Sequence, residues 1–134
     1  MARYNRASGP PADFELTGSF QDITGLSITR NWDDGELFIA FVAQVNNTTL
    51  ITVFTEVRVL IDGVVQNLLD ISTFTLAGQF NTLAASTIIP INQGPHTIKL
   101  QGFGDAVVGD LLFANFTSLS VIQLPLWDSD KGIT

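Results

Sequence analysis

Asp62-Gly63 separates two runs, FTEVRVLI (54–61) and VVQNL (64–68), and no other feature constrains the chain more. A two-residue hairpin loop of type I′ needs positive φ at both positions, and Asp-Gly is one of the few pairs that accepts it. The run before the pair alternates. Phe54, Glu56, Arg58 and Leu60 share one face, while Thr55, Val57, Val59 and Ile61 share the other. That alternation describes a strand with one covered face. The segment therefore predicts an antiparallel ribbon with Glu56 and Arg58 toward solvent.

The same grammar runs through the rest of the chain. LFIAFVAQV (37–45) has strand character but is apolar on both faces: Leu37, Ile39, Phe41, Ala43 and Val45 on one, Phe38, Ala40 and Val42 on the other. Asn46-Asn47 closes it. NTLAASTIIPI (81–91) is extended, and Pro90 assigns its end to an edge, because proline cannot donate to a ladder. Asn92 to Pro95 turns the chain into HTIKLQGF, and FTSLSVIQL (116–124) stops at Pro125. LLDISTF has room for one helical turn, but Ile71, Thr73 and Phe74 disfavour more. No helical periodicity is sustained anywhere. The pattern predicts an all-β, antiparallel sandwich or jelly roll of about 8–10 strands. Residues 1–12 (Ser8, Gly9, Pro10 and Pro11 among them) are expected to be a flexible, irregular arm, 13–125 the domain, and 126–134 a tail.

Composition removes several classes of function. Thirteen acids against six bases give a net charge of -7, and charged residues are only 14% of the chain. Nucleic-acid binding needs a basic footprint that is missing here, and the same charge disfavours anionic membranes. The apolar run 37–43 is too short to span a bilayer. The amino terminus has two arginines and no apolar core, so it does not read as a secretory signal. With no cysteine in the chain, disulfides, thiolate metal sites and a cysteine nucleophile are excluded.

Candidate chemistry is sparse. His96 is the only histidine, and no serine sits in a nucleophile elbow, so it is expected to open a strand rather than to catalyse. Asp33, Asp34 and Glu36 form an acidic cluster that suits a solvated turn better than a Ca²⁺ site. Asp128, Asp130 and Gly132 have the wrong spacing for an EF-hand. Asp105 and Asp110 flank a glycine-rich loop, yet nothing marks them as a glycosidase pair. Trp32 and Trp127 are expected in loop and tail positions, as sugar-stacking rings, interface anchors or covers of a sandwich end. No catalytic residue, metal site or cofactor is expected.

The succession GSFQDITGLSITRNWDDGELFIAFVAQV, VRVLIDGVVQ, GPHTIKLQGFG and SLSVIQLP resembles the TNF/C1q-like jelly-roll modules of phage structural proteins, from capsid decoration (auxiliary) proteins to tail-fibre heads. The resemblance covers residues 14 to 125. It implies a ten-strand jelly roll, a tight homotrimer, and binding or decoration in place of catalysis. It also implies an inner sheet containing 37–45, 96–103 and 116–124, packed around a three-fold axis. The trimer interface is then expected at Phe38, Ala40, Val42, Lys99, Gln101 and Phe103, with Lys99 in need of an acidic partner. Arg3, Tyr4, Arg6 and Trp127 are expected as latches onto a neighbour. The functional expectation is a trimeric capsid decoration protein of a phage-like virus, made in the host cytoplasm and residing in the virion. Its partners would be itself and the major capsid protein or another virion protein, with no nucleic acid and no membrane. The alternative is a receptor- or glycan-binding head of a tail or baseplate, with Trp32 and the acidic loop at its tip.

Overall fold

The computed structural model describes residues 3–105 and 108–124. Ten strands and one short 3-10 turn occur among them: β1 (Arg3–Ser8), β2 (Phe14–Glu15), β3 (Gln21–Trp32), β4 (Gly35–Asn47), β5 (Val53–Ile61), β6 (Val64–Thr75), β7 (Phe80–Ile91), β8 (Gly94–Gly104), β9 (Asp110–Leu112), the turn Ala114–Phe116, and β10 (Ser118–Leu124). They form two antiparallel sheets. The first runs β1-β10-β4-β9-β2, with β7 on the other side of β4, and the second runs β3-β8-β5-β6.

Alternation decides what each strand buries. Leu37, Ile39, Phe41, Ala43 and Val45 of β4 point inward and are fully buried, as are Leu119 and Val121 of β10. They meet Val57 and Val59 of β5, Ile98 and Leu100 of β8, and Leu26 and Trp32 of β3 in one continuous core. Burying side chains of this size contributes about 1.5–3 kcal/mol each. Truncating Phe41 to alanine would cost about 3–5 kcal/mol, because the two sheets cannot close over the gap.

The hairpin at Asp62-Gly63 forms as its residues require, with φ of 51° and 81°. β7 is an edge strand paired only with β4 among the described residues, and Pro90 sits in it opposite Glu36. Three expectations are corrected. LLDISTF makes no helical turn: β6 stays extended through Thr75, paired with β5 from Val53. The register shifts between Arg58, paired with Asp70, and Leu60, paired with Val65, so the extra residues lie on β6, and Leu69 among them enters the core.

The amino-terminal residues differ as well. Arg3–Ser8 is not irregular; it pairs with β10 of its own chain, from Arg3↔Gln123 to Ser8↔Ser118. Without that pairing β10 would present an unpaired ladder edge to solvent. The break falls at Gly9 and Pro10. Gly9 has φ 42°, its N–H donates to Thr117 O at 2.6 Å, and a Cβ there would lie 1.9 Å from Ala114 O. The third correction concerns layers. Residues 96–103 belong to β8 in the second sheet, not to the sheet that holds 37–45 and 116–124.

Candidate functional site

The outward face of the first sheet is built in rows. Tyr4 of β1 stands beside Ile122 of β10, Ile122 beside Phe38 of β4, and Phe38 beside Ile88 of β7. The next row is Arg6, Ser120, Ala40 and Ser86; the one after is Ser8, Ser118, Val42 and Ala84. Register alone thus assembles an apolar row across four strands, next to rows of small residues. Tyr4, Val42 and Ile88 are exposed. A shallow depression of about 350 Å³ lies among Phe38, Ala40, Val42, Ala84 and Ser86. Beside it a groove of about 550 Å³ is lined by Arg6, Ser8, Gln44, Thr82 and Phe116.

The expected interface residues divide between two surfaces. Phe38, Ala40 and Val42 lie on this face. Lys99, Gln101 and Phe103 lie on β8 and face outward from the opposite sheet, so the six cannot form one patch. Their register alternates correctly, but the sheet they join is set by pairing with β3 and β5. Lys99 finds its acid there: Nζ donates to Asp22 Oδ2 at 3.0 Å. Gln101 also donates to Asp22, at 2.8 Å, and accepts from Arg58. Those donors, Gln101 first, hold the Asp22 carboxyl below the usual range. Arg58 stacks over Phe20 at 3.5 Å from the ring centroid, and Phe20, Phe103, Phe54 and Phe74 follow one another as a ladder of rings.

Tyr4 and Arg6 are surface residues of an ordinary edge strand, and Arg6 meets no carboxylate among the described residues. Trp127 lies outside the described residues, as do Asp128, Asp130 and Gly132. Trp32 is the last residue of β3 and not a loop residue; at 1% exposed, with Arg30 stacked on it, it follows the packed alternative among the three expected for it. A ring closed into the core cannot stack on a sugar. In the acidic cluster, Asp34 Oδ1 accepts from Gln93 N, and Asp33 N donates to Gln123 Oε1 at 2.9 Å.

Several polar contacts escape sequence reading. His96 Nδ1 lies 2.5 Å from Asp62 Oδ2, and Nε2 lies 2.8 Å from Asn92 O. With acceptors on both sides, the ring is satisfied in full only as imidazolium. The Asp62 hydrogen bond holds the His96 pKa above its ordinary value, and the same bond holds Asp62 below its own. Glu56 is hydrogen-bonded to Asp70, and the shared proton with partial burial pushes Glu56 up to about 7. Asp110 is buried with Oδ2 accepting from Thr55 Oγ1 at 2.7 Å and Oδ1 unpaired, and burial pushes its carboxyl up to about 6. Asp105 accepts from Phe54 N. Neither loop acid is aimed at a common reaction centre. Among the described residues no three His, Asp or Glu side chains converge on a metal-sized site.

No family model and no curated protein matches the sequence. Solved structures do. The fold is similar to murine APRIL, with a TM-score of 0.60 and 13% identity over 92% of this chain and 100% of that one. It is similar to Eiger TNF from S. frugiperda, with a TM-score of 0.61 and 8% identity over 99% of each. A chain from the structure of infectious bursal disease virus, Gx strain, matches with a TM-score of 0.60 and 17% identity over 91% of this chain. This chain spans 33% of that viral chain's length. Identities this low establish a shared fold. The protein is a TNF-like jelly-roll module, an antiparallel sandwich of the architecture its motifs resemble.

Proposed function

We propose that the protein is a homotrimeric structural component of a virus particle, a decoration or stabilising protein of a phage-like capsid, acting by cohesion without chemistry. The carrying observation is the row Tyr4–Ile122–Phe38–Ile88 on the outward face of the first sheet, continued by Ala40 and Val42. An apolar face that crosses four strands without an ion pair suits burial against another copy. A TNF-like fold in cytokine ligands and in a chain of a virus structure supports binding or assembly over catalysis.

The interface we infer retains Phe38, Ala40 and Val42, and adds Tyr4, Ile88 and Ile122. The edge strand β1 carries Tyr4 and Arg6 as part of that face, in place of a free latch. The domain in this reading begins at β1 and runs to residue 125. The receptor- or glycan-binding alternative loses its anchor with Trp32 buried. The test is the oligomeric state in solution with and without Phe38→Asp and Val42→Asp. Loss of association in the variant, with an intact fold, is the expected result. A wild-type monomer at micromolar concentration would retire the reading.

A further inference from the structure

The groove beside the Phe38 face stands out by what its polar groups leave undone. It holds about 550 Å³ among β1, β10, β4, β7 and the turn Ala114–Phe116. Six polar side chains line it: Arg6, Ser8, Gln44, Thr82, Asn115 and Ser118. None of the six side chains makes a hydrogen bond or ion pair with another described residue. On the opposite sheet the comparable groups close on one another, as Asp22, Lys99, Gln101 and Arg58 do. A concavity of this size lined by uncommitted polar groups suits a small polar ligand.

One wall of the groove is fixed in place. Phe113 N donates to Gln44 O at 2.9 Å, Phe116 N to Phe113 O at 3.2 Å, and Thr117 Oγ1 to Phe113 O at 2.8 Å. Gly9 N donates to Thr117 O at 2.6 Å and ties β1 to the same turn. These bonds hold the backbone of the turn while Asn115 and Phe116 stay exposed, Phe116 by 60%. A ligand would meet these groups already in position, at little ordering cost.

Three features select the ligand. Arg6 is the one charged residue among those lining the groove, and no described carboxylate meets it. Asp13, the acid bonded to the turn, directs Oδ1 to Ala114 N at 2.9 Å and does not line the groove. A single guanidinium fork matches one carboxylate. A phosphate dianion would leave a charge uncompensated in a chain of net charge -7. Second, the amides of Gln44 and Asn115 and the hydroxyls of Ser8, Thr82 and Ser118 offer donors and acceptors together, which a polyhydroxylated ligand requires. Third, Phe116 adds an exposed ring, whose negatively polarised face suits the C–H side of a sugar.

We infer that this groove binds a carboxylated sugar, with Arg6 on the carboxylate, Gln44, Asn115 and the hydroxyls on the sugar oxygens, and Phe116 against the ring. The inference goes beyond the assembly reading. The groove shares Arg6 and Val42 with the face assigned to self-association, so binding and oligomeric state are measured side by side.

NMR titration of the full chain with sodium glucuronate tests it, using Arg6→Gln, Phe116→Ala and, on the opposite sheet, Lys99→Gln. The wild type is expected to show saturable shifts at the Gln44 and Asn115 side-chain amides. Binding should be at least tenfold weaker in Arg6→Gln, weaker in Phe116→Ala, and unchanged in Lys99→Gln, which removes the same charge elsewhere. Glucose and acetate should each bind at least tenfold more weakly than glucuronate. An unchanged melting temperature would show that the variants fold. Wild type without saturable shifts overturns the inference. So does Arg6→Gln or Phe116→Ala that binds as the wild type does, Lys99→Gln that loses as much as Arg6→Gln, or glucose or acetate that binds as tightly as glucuronate. Shifts at Gln44 and Asn115 that follow protein concentration without sugar, with no response to glucuronate, also overturn it and name a second copy as the occupant. Light scattering on the same samples separates the two readings: a monomer that binds glucuronate retires only the assembly, and a trimer that does not bind retires only this site.

Discussion

His96 Nδ1 sits 2.5 Å from Asp62 Oδ2, which joins the β5–β6 hairpin turn to the opening of β8. Asp62 also accepts from Thr97 N at 2.9 Å, so one carboxylate holds two consecutive residues of β8. The carboxylate that a type I′ turn places at positive φ is the one that fixes the neighbouring strand.

This clamp has a defined pH window. His96 has a raised pKa, so its contribution is complete below the ordinary 6.5 and is lost as pH rises through the folded value. Asp62 has a lowered pKa, so its contribution is complete above the ordinary 3.8 and is lost as pH falls through the folded value. The pair is strongest between those limits. Because Asp62 is half exposed, its worth is below about 1 kcal/mol. An NMR titration of the His96 ring should give a pKa above 6.5, and Asp62→Asn should return it toward the ordinary value. A ring that titrates at or below 6.5 in the wild type would refute the clamp.

Asp110 makes stability fall with pH. Its folded pKa of about 6 exceeds the ordinary 3.8, so the native state holds a proton that the unfolded chain has released. Between those values stability declines as pH rises, by about 3 kcal/mol for a shift of that size. Asp110→Asn retains an acceptor for Thr55 Oγ1 and cannot ionise. Urea unfolding at pH 4 and pH 7 should show a smaller decline in the variant than in the wild type. Equal declines would mean that Asp110 is charged and solvated.

Glu56 is raised to about 7 chiefly by its hydrogen bond to Asp70. Asp70→Asn removes the charge that opposes ionisation, so the Glu56 carboxyl should titrate closer to 4.5 in that variant. Carbon-detected NMR of the Glu56 side chain reads both values. A wild-type Glu56 that already titrates near 4.5 would remove the shared proton from the account.

Gly9 is a steric requirement. Its φ of 42° and the 1.9 Å approach of a built Cβ to Ala114 O leave no room for a side chain. Gly9→Ala should cost at least about 2 kcal/mol by denaturant unfolding. A neutral result would show that the turn into β2 can shift away from Ala114.

Local pattern carried the strands, and distance in sequence hid the rest. The buried set Leu37, Ile39, Phe41, Ala43 and Val45 was legible, because period-two alternation is written in consecutive residues. So was the second apolar face led by Phe38. Which sheet a strand joins is set by partners far away, and β8 alternates identically in either sheet; that is why Lys99, Gln101 and Phe103 were grouped with Phe38. Arg3–Ser8 looked irregular because its pairing among the described residues is with β10, more than a hundred positions later. Trp32 was read as a loop residue, exposed or packed, because it adjoins the Asp33–Asp34 turn; pairing with Gly94 makes it the last inward position of β3. The Asp62–His96 contact spans 34 positions and appears only once β5 and β8 are paired.

The central claim is assembly through the outward face of the first sheet. Multi-angle light scattering on the wild type and on Phe38→Asp/Val42→Asp tests it most directly. The account predicts three times the chain mass for the wild type at micromolar concentration, and a folded monomer for the variant. A wild-type monomer, or a variant that remains trimeric, would contradict it.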